Sequence, residues 1–192
     1  MKMSKTSRTA MLMAALMLVP LYWIPFWTIS MSAPQFPGGI GMHIQINDLT
    51  GHNRHDIQSI NTLNHYIGMK EINKEDFREF AVIPWIIGFM VALGVVAAMQ
   101  GNPVWIRIWL GLMILLGVVG FVDYYMWGYD YGHNLSPDAP IKVPGMSYQP
   151  PLLGCKQLLN INACSWPYIG SIFMAASVGL AGFAEWRRDN EK

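Results

Sequence analysis

The run Thr9-Ala10-Met11-Leu12-Met13-Ala14-Ala15-Leu16-Met17-Leu18-Val19-Pro20-Leu21-Tyr22-Trp23-Ile24-Pro25-Phe26-Trp27-Thr28-Ile29 decides how the rest of the chain is read. It follows Lys2, Lys5 and Arg8, is apolar almost throughout, and ends in Tyr22, Trp23, Phe26 and Trp27. A bilayer core takes about 20 such residues as one helix, and amphipathic rings at the end of a run suit the membrane interface. A basic start followed by an apolar run also describes a cleaved signal peptide. The run, however, exceeds the roughly 7–15 residues of a signal core, and Ser32-Ala33-Pro34 is a poor cleavage site. A retained anchor over 9–29 is therefore the favoured reading.

Three more blocks of spanning length follow, at about 81–99, 104–127 and 168–186. The 192 residues are 53% hydrophobic and 13% charged with a net charge of +1. That charged share is about half the usual one for a soluble domain, too greasy for disorder and too neutral for a nucleic-acid binder. The expected fold is an all-α membrane protein, one integral membrane domain over 1–192 with four transmembrane helices. Two long outer loops, about 32–80 and 128–167, join them. Lys2, Lys5 and Arg8, then Arg107 beside the Gln100–Pro103 connection, then Arg187, Arg188 and Lys192 all fall on one side. The positive-inside rule makes that side the cytoplasm and puts both termini there. Arg54, Lys70, Lys74, Arg78, Lys142 and Lys156 lie in the long segments, which cross regardless of charge. The spans carry few ionisable groups: Arg107 and Glu185 near ends, and Asp123 near the outer end of the third. No histidine lies in a span, which counts against haem b, and the lack of Cys-x-x-Cys-His excludes covalent haem c. Gly111, Gly117, Gly120, Gly179 and Gly182 are expected to let helices pack closely.

All five histidines (His43, His52, His55, His65 and His133) and both cysteines fall in the outer segments, with Met42, Met69 and Met146. Soft and borderline ligands on one face suggest a metal, although loops must hold the polar residues in any case. Ile40, Met42, Ile44 and Ile46 alternate with Gly41, His43, Gln45 and Asn47, which predicts a short strand. Asn53 reads as a helix cap with Asp56 in the first turn. Ile57, Ile60, Leu63 and Ile67 then form an apolar stripe, with His55, Gln58, Thr62, His65 and Met69 opposite. His55 and His65 are about 15 Å apart along such a helix and cannot share an ion. His65 and Met69 can, unless Gly68 ends the helix first. His52 and His55 can pair, with Asp56 as an acceptor behind them. Asn73 and Asp76 predict a short helix from Lys74 to Phe80. In the second loop, Pro137, Pro140, Pro144, Pro150 and Pro151 predict an extended path. The tyrosines beside Asp130 and His133 line a site or form an interfacial belt. Cys155 and Cys164 are close enough in sequence for a disulfide; a thiolate metal pair and two free thiols are the alternatives. Lys156 to Asn162 reads as an amphipathic turn of helix. No phosphate loop, HExxH, GxSxG or paired-carboxylate signature occurs, and no partner spacing supports a catalytic acid or base at Lys156, His65 or Asp130.

Two stretches carry a resemblance. One is Asn61-Thr62-Leu63-Asn64-His65-Tyr66-Ile67-Gly68-Met69-Lys70. The other is Tyr129-Asp130-Tyr131-Gly132-His133-Asn134-Leu135 with Pro144-Gly145-Met146-Ser147-Tyr148-Gln149-Pro150-Pro151-Leu152. Together with the four-span plan they resemble NosB, the small polytopic membrane proteins encoded with clade II (atypical) nitrous oxide reductases. The resemblance implies a bacterial cytoplasmic membrane and a role in nitrous oxide respiration, a branch of denitrification, beside a multicopper reductase outside that membrane. The matching positions are Asn64, His65, Tyr66, Gly68, Met69, Asp130, His133, Asn134, Met146, Tyr148 and Gln149; the cysteines are not part of the pattern.

Three functions follow as expectations. The first is a non-catalytic accessory protein that docks the reductase or its maturation proteins on the outer loops and holds or passes copper. Its metal ligands would be His65 with Met69, His133 with Met146, and His52 with His55. Its partner contacts would be Asn64, Tyr66, Asp130, Asn134, Tyr148 and Gln149. The second is a quinol-linked electron-transfer subunit, for which no relay cofactor is evident. The third is a purely structural assembly subunit.

Overall fold

The computed structural model describes residues 3–190. Five α-helices, α1 (Lys5–Leu16), α2 (Asp56–Ile67), α3 (Glu79–Gln100), α4 (Pro103–His133) and α5 (Ile169–Asn190), are combined with five strands. The strands are β1 (Trp27–Ala33), β2 (Phe36–Ile44), β3 (Leu49–Gly51), β4 (Gly154–Leu158) and β5 (Ile161–Pro167). They form one antiparallel sheet in the order β3-β2-β1-β5-β4. The expected all-α fold is therefore overturned: both long segments contribute strands, and β1, from the end of the first apolar block, joins them by pairing with β2 on one side and β5 on the other.

The four-span count falls with it. Among the described residues, α3, α4 and α5 are long and apolar enough to cross a membrane, which by length and composition makes this a membrane protein. The first block is not one helix. Its 12-residue α1 is about 18 Å long, short of a hydrocarbon core of about 30 Å, and it packs against α5 and α3. Pro20 sits in a 3-10 turn, Val19–Tyr22, whose own geometry replaces the α-helix. Pro25 then holds the chain extended, and from Trp27 the side chains alternate as a strand. Trp27 and Ile29 are buried, whereas Thr28 and Ser30 are half-buried on the other face.

The bundle core gathers Met11, Ala14 and Leu18 of the first segment with Met90 and Ala97 of α3, Ile106 and Trp109 of α4, and Ala181 of α5. Met3 N–H donates to Gly101 O at 2.7 Å, and the Arg8 guanidinium donates to Ala98 O and Met99 O at 2.7 and 2.6 Å. Arg8 thus satisfies carbonyls that the last turn of α3 leaves unpaired. Arg107 and Glu185 join α4 to α5 at 2.7 Å near the same end of the bundle. The sheet and α2 lie at the opposite end, around a second core of Trp27, Ile29, Ile40, Met42, Ile60, Ile72 and Tyr131.

Close helix packing does not use the expected glycines. A Cβ at Gly111, Gly117, Gly120, Gly179 or Gly182 would meet nothing within 4 Å. At Gly94 it would come within 2.6 Å of the Ala15 Cβ and 3.1 Å of Trp109 Nε1, because α1 lies directly on α3 there. The hairpin β4–β5 replaces the turn of helix expected at 156–162, and a 3-10 turn over Lys74–Asp76 replaces the helix expected at 74–80.

Gly94→Leu should therefore lower the melting temperature of the detergent-solubilised protein, at a cost of about 1–3 kcal/mol for an overpacked contact. Gly117→Ala should leave it unchanged or raise it, since alanine gains up to about 1 kcal/mol of helix propensity.

Candidate functional site

The alternation of the strands divides the sheet into two faces. Trp27, Ile29 and Met31 pair with Ile44, Met42 and Ile40 on one side and with Pro167, Ser165 and Ala163 on the other. This inner face packs against α2 and the last turns of α4. Thr28, Ser30 and Ser32 pair with His43 and Gly41 in β2, and with Trp166, Cys164 and Asn162 in β5, forming a polar outer face. Cys155 and Cys164 are register partners there and are joined by a disulfide.

The inner face is fastened at Ser165, which is fully buried. Its hydroxyl accepts from Trp27 Nε1 at 2.7 Å and donates to Leu152 O at 3.2 Å; the Tyr124 hydroxyl lies 2.7 Å away and so donates to it. A serine hydroxyl offers one donor and two acceptor sites, and all three are used. The neighbouring junction is backbone-tight. Gly170 N–H donates to Pro25 O and Tyr168 N–H to Phe26 O, and a Cβ at Gly170 would lie 2.7 Å from that Pro25 oxygen.

The predicted site residues do not converge on one centre. The helix expected after Asn53 forms as α2, with His55 at its N-cap and Gly68, at φ 80°, ending it. That left-handed residue separates His65, exposed on α2, from Met69, which lines a cavity under the sheet. His133 stacks on the Tyr129 ring at 4.0 Å and bonds Tyr129 O through Nδ1 at 3.0 Å, while Met146 is exposed in the second loop. Asn64 is buried and clasps the turn after α2 by donating to Lys70 O at 3.0 Å. Asp130 accepts from Lys70 Nζ at 2.6 Å and from the Asn134 amide. Tyr148 is 2% exposed and points nothing outward, whereas Tyr66 is exposed. Gln149 lies half-buried with its backbone against Gly132, where a Cβ would be 2.3 Å from Gln149 N.

The imidazoles that do meet are His43 and His52, with ring centroids 4.3 Å apart. The absence of a side chain at Gly41 makes this possible: a Cβ there would be 2.4 Å from the His52 ring. His52 Nε2 bonds Thr28 Oγ1 at 2.8 Å, and Tyr168 covers His43 at 4.5 Å. His43 Nδ1 is buried with no partner in the protein. That unpartnered His43 nitrogen is the kind of donor copper takes, whereas His65 and Met69 are held apart by Gly68. Among the described residues, no three or more histidine, cysteine, aspartate or glutamate side chains gather as a ligand set. Beside His52, a polar cleft of about 250 Å³ opens among Ser30, Ser32, Asn53, Asn162 and Cys164. His43 is the member that sequence reading passed over. Its place on the polar phase of β2 was legible, but the approach of His52 over Gly41 was not.

Burial, and then the neighbouring His52, hold the His43 pKa below its ordinary value. The unfolded chain therefore binds a proton that the folded lobe resists. Stability contributed by this site is present above about pH 6.5 and is lost as pH falls through that value toward the lower folded pKa. Melting followed by tryptophan fluorescence at pH 7.5 and 5.5 should show this loss, and His43→Asn should flatten it. Ser165→Ala should cost about 1–3 kcal/mol by stranding the buried Trp27 indole and the half-buried Tyr124 hydroxyl, with a shift in tryptophan emission from Trp27. No family model matches the chain and no curated protein is similar to it, so its functional reading rests on these residues.

Proposed function

We propose that the chain is a non-catalytic membrane partner of a copper-dependent nitrous oxide reductase system, docking the reductase or its maturation proteins on the polar outer face of its sheet. The docking half of this reading is carried by that face, and the reductase system is what the resemblance of the stretches 61–70, 129–135 and 144–152 implies. The face is fixed to the apolar helices at Ser165 and Gly170, it is stapled by a disulfide, and it presents Ser32, Gln157, Asn162 and Trp166 to solvent around a polar cleft. Disulfides persist outside the reducing cytoplasm, which favours a lobe on the outer side of a bacterial cytoplasmic membrane. Lys5, Arg8, Arg107 and Arg187 at the other end of the bundle fit the cytoplasmic side. Copper handling has one observation in its favour, the His43–His52 pair with its unpartnered nitrogen.

Two measurements test this. In spheroplasts, a membrane-impermeant maleimide should label Cys155 and Cys164 only after treatment with an impermeant reductant; labelling that requires permeabilised membranes reverses the orientation. Affinity purification from native membranes should bring down a periplasmic multicopper enzyme or its maturation proteins, with co-purification reduced at least tenfold by Asn162→Arg with Ser32→Arg. Capture unaffected by those substitutions removes the docking face. Copper in the same sample, lost on His43→Asn with His52→Asn, supports the metal role; none in the wild type removes it and leaves docking standing.

A further inference from the structure

The polar cleft of about 250 Å³ on the outer face of the sheet has a buried carboxylate in its wall, Asp56, which is 5% exposed. No lysine or arginine lines the cleft, and among the described residues Asp56 forms no ion pair.

The turn that joins β3 to α2 sets this carboxylate in place. Gly51 lets the turn close: a Cβ there would lie 2.5 Å from Asn53 O and 3.0 Å from the Asp56 Cβ. Asp56 Oδ2 then accepts from the Gly41 and Asn53 backbone N–H groups, both at 3.1 Å, and from the Asn53 amide at 3.3 Å. A carboxylate has lone pairs to offer on both oxygens. Three donors crowd onto Oδ2, while Oδ1 accepts from none of the described residues and is not sealed from solvent, so it opens on the cleft.

Other acceptors gather beside it. The Thr28 hydroxyl gives its one proton to Met42 O at 3.3 Å, so the His52 Nε2 that lies 2.8 Å from Thr28 Oγ1 carries a proton and His52 Nδ1 carries a lone pair. The Nδ1–Cε1 edge of that ring lies over Gly41, the same residue whose N–H Asp56 holds. On β5 the Asn162 amide nitrogen turns to Cys164 Sγ at 3.8 Å, which leaves Asn162 Oδ1 free to accept. Ser30 and Ser32, on the strand between, add two hydroxyls.

Such a wall selects a cation rich in N–H donors. An anion would meet an unneutralised carboxylate, and a neutral guest would leave that charge uncompensated as it displaced water. Calcium takes about 6–8 oxygen ligands, more than one free carboxylate oxygen and a few neighbours supply, and among the described residues no three metal-ligating side chains gather. Of the organic cations, guanidinium is more weakly hydrated than ammonium and spreads its donors in a plane, which matches acceptors spread along a cleft. A cavity of about 150 Å³ takes benzene, so this one has room for the group and its stem.

We propose that the cleft is a binding site for a guanidinium group, anchored on Asp56 Oδ1 and seated between His52 Nδ1 and Asn162 Oδ1. The site lies on the proposed docking face, but its test needs no partner, so either reading can fail without the other.

The probe is N-acetyl-arginine amide, with neutral N-acetyl-citrulline amide as its control, titrated onto the full chain in phosphatidylcholine nanodiscs with a metal chelator present. The wild type should bind the arginine amide saturably and the citrulline amide about tenfold more weakly. Asp56→Asn keeps an oxygen for the three N–H donors but puts an amide NH2 where Oδ1 stands, and should weaken the arginine amide by about tenfold. Asn162→Lys, at an exposed position, brings a competing ammonium to the cleft and should weaken it to the same extent. Wild-type protein with a normal melt that binds neither amide overturns the proposal, as does equal binding of both, or unchanged affinity in well-folded Asp56→Asn. If Asp56→Asn does not fold, unchanged affinity in Asn162→Lys overturns it. Co-purification from native membranes then names the source of the group. Capture lowered by Asp56→Asn assigns it to a side chain of the docked partner, and unchanged capture with loss of the arginine amide assigns it to a free solute.

Discussion

One hydroxyl group ties the two halves of this protein together. Ser165 Oγ joins Trp27 of β1, Tyr124 of α4 and the Leu152 carbonyl of the second long segment, from its own place on β5. Trp27 is buried and Tyr124 half-buried, and in an apolar setting an unpaired polar group costs more than a paired one contributes. The arrangement is therefore close to all-or-none. Sliding the sheet along α4 would strand the Tyr124 phenol, and sliding β5 along β1 would strand the Trp27 indole. A slip in strand register would also turn the inner face outward. The seam thus fixes the register of β5 on β1 and the height of the whole lobe on the helices.

The same seam explains which parts of the fold could be read from the chain. α3 and α4 are continuous apolar runs whose length alone identifies them. α2 was legible from its isoleucine stripe and from Gly68, which ends it in the left-handed conformation. The strand at Ile40–Ile44 showed its period of two openly. β1 shows the same period, Trp27-Thr28-Ile29-Ser30-Met31, but it directly follows an apolar helix. A count of apolar residues merges the two, and only the change of period after Pro25 separates them. β5 hides differently: its inward positions are Ile161, Ala163 and Ser165, and a buried serine reads as polar until its three partners are known. Those partners are 13, 41 and 138 residues away, so no local pattern could reveal them.

The candidate site was legible to a similar degree. That imidazoles gather away from the spans could be read directly, because the spans hold none. Which imidazoles meet depended on backbone proximity. Helical spacing favoured His65 with Met69, yet one left-handed glycine sends the two side chains to opposite sides of α2. His52 reaches His43 because Gly41 has no side chain to hold it off. Glycine signals pointed the wrong way in the helices for the converse reason. Gly111, Gly117 and Gly120 face open space, while Gly94 and Gly170, which drew no attention in sequence, sit where chains touch.

The length of α4 bears on how a lobe of this kind would be used. Its 31 residues make a rod of about 46 Å, roughly 16 Å longer than a hydrocarbon core of about 30 Å. The surplus emerges at the sheet end as Trp127, Tyr131 and the turns that carry Asp130 and His133. α2, the sheet and the second loop are all bonded to that projecting stretch or its neighbours: Lys70 to Asp130, Tyr131 to Glu71, Tyr148 N–H to Gly132 O. The exposed ion pair contributes little by itself, but the buried contacts around it leave no flexible linker between helix and lobe. On the proposed orientation, a partner seated on the polar face would be held at a fixed height above the bilayer by a continuous helix. That rigidity suits presentation of a surface better than capture by a mobile arm. It also keeps the His43–His52 pair, on the outer face, apart from the apolar cavity on the inner face by the thickness of one sheet.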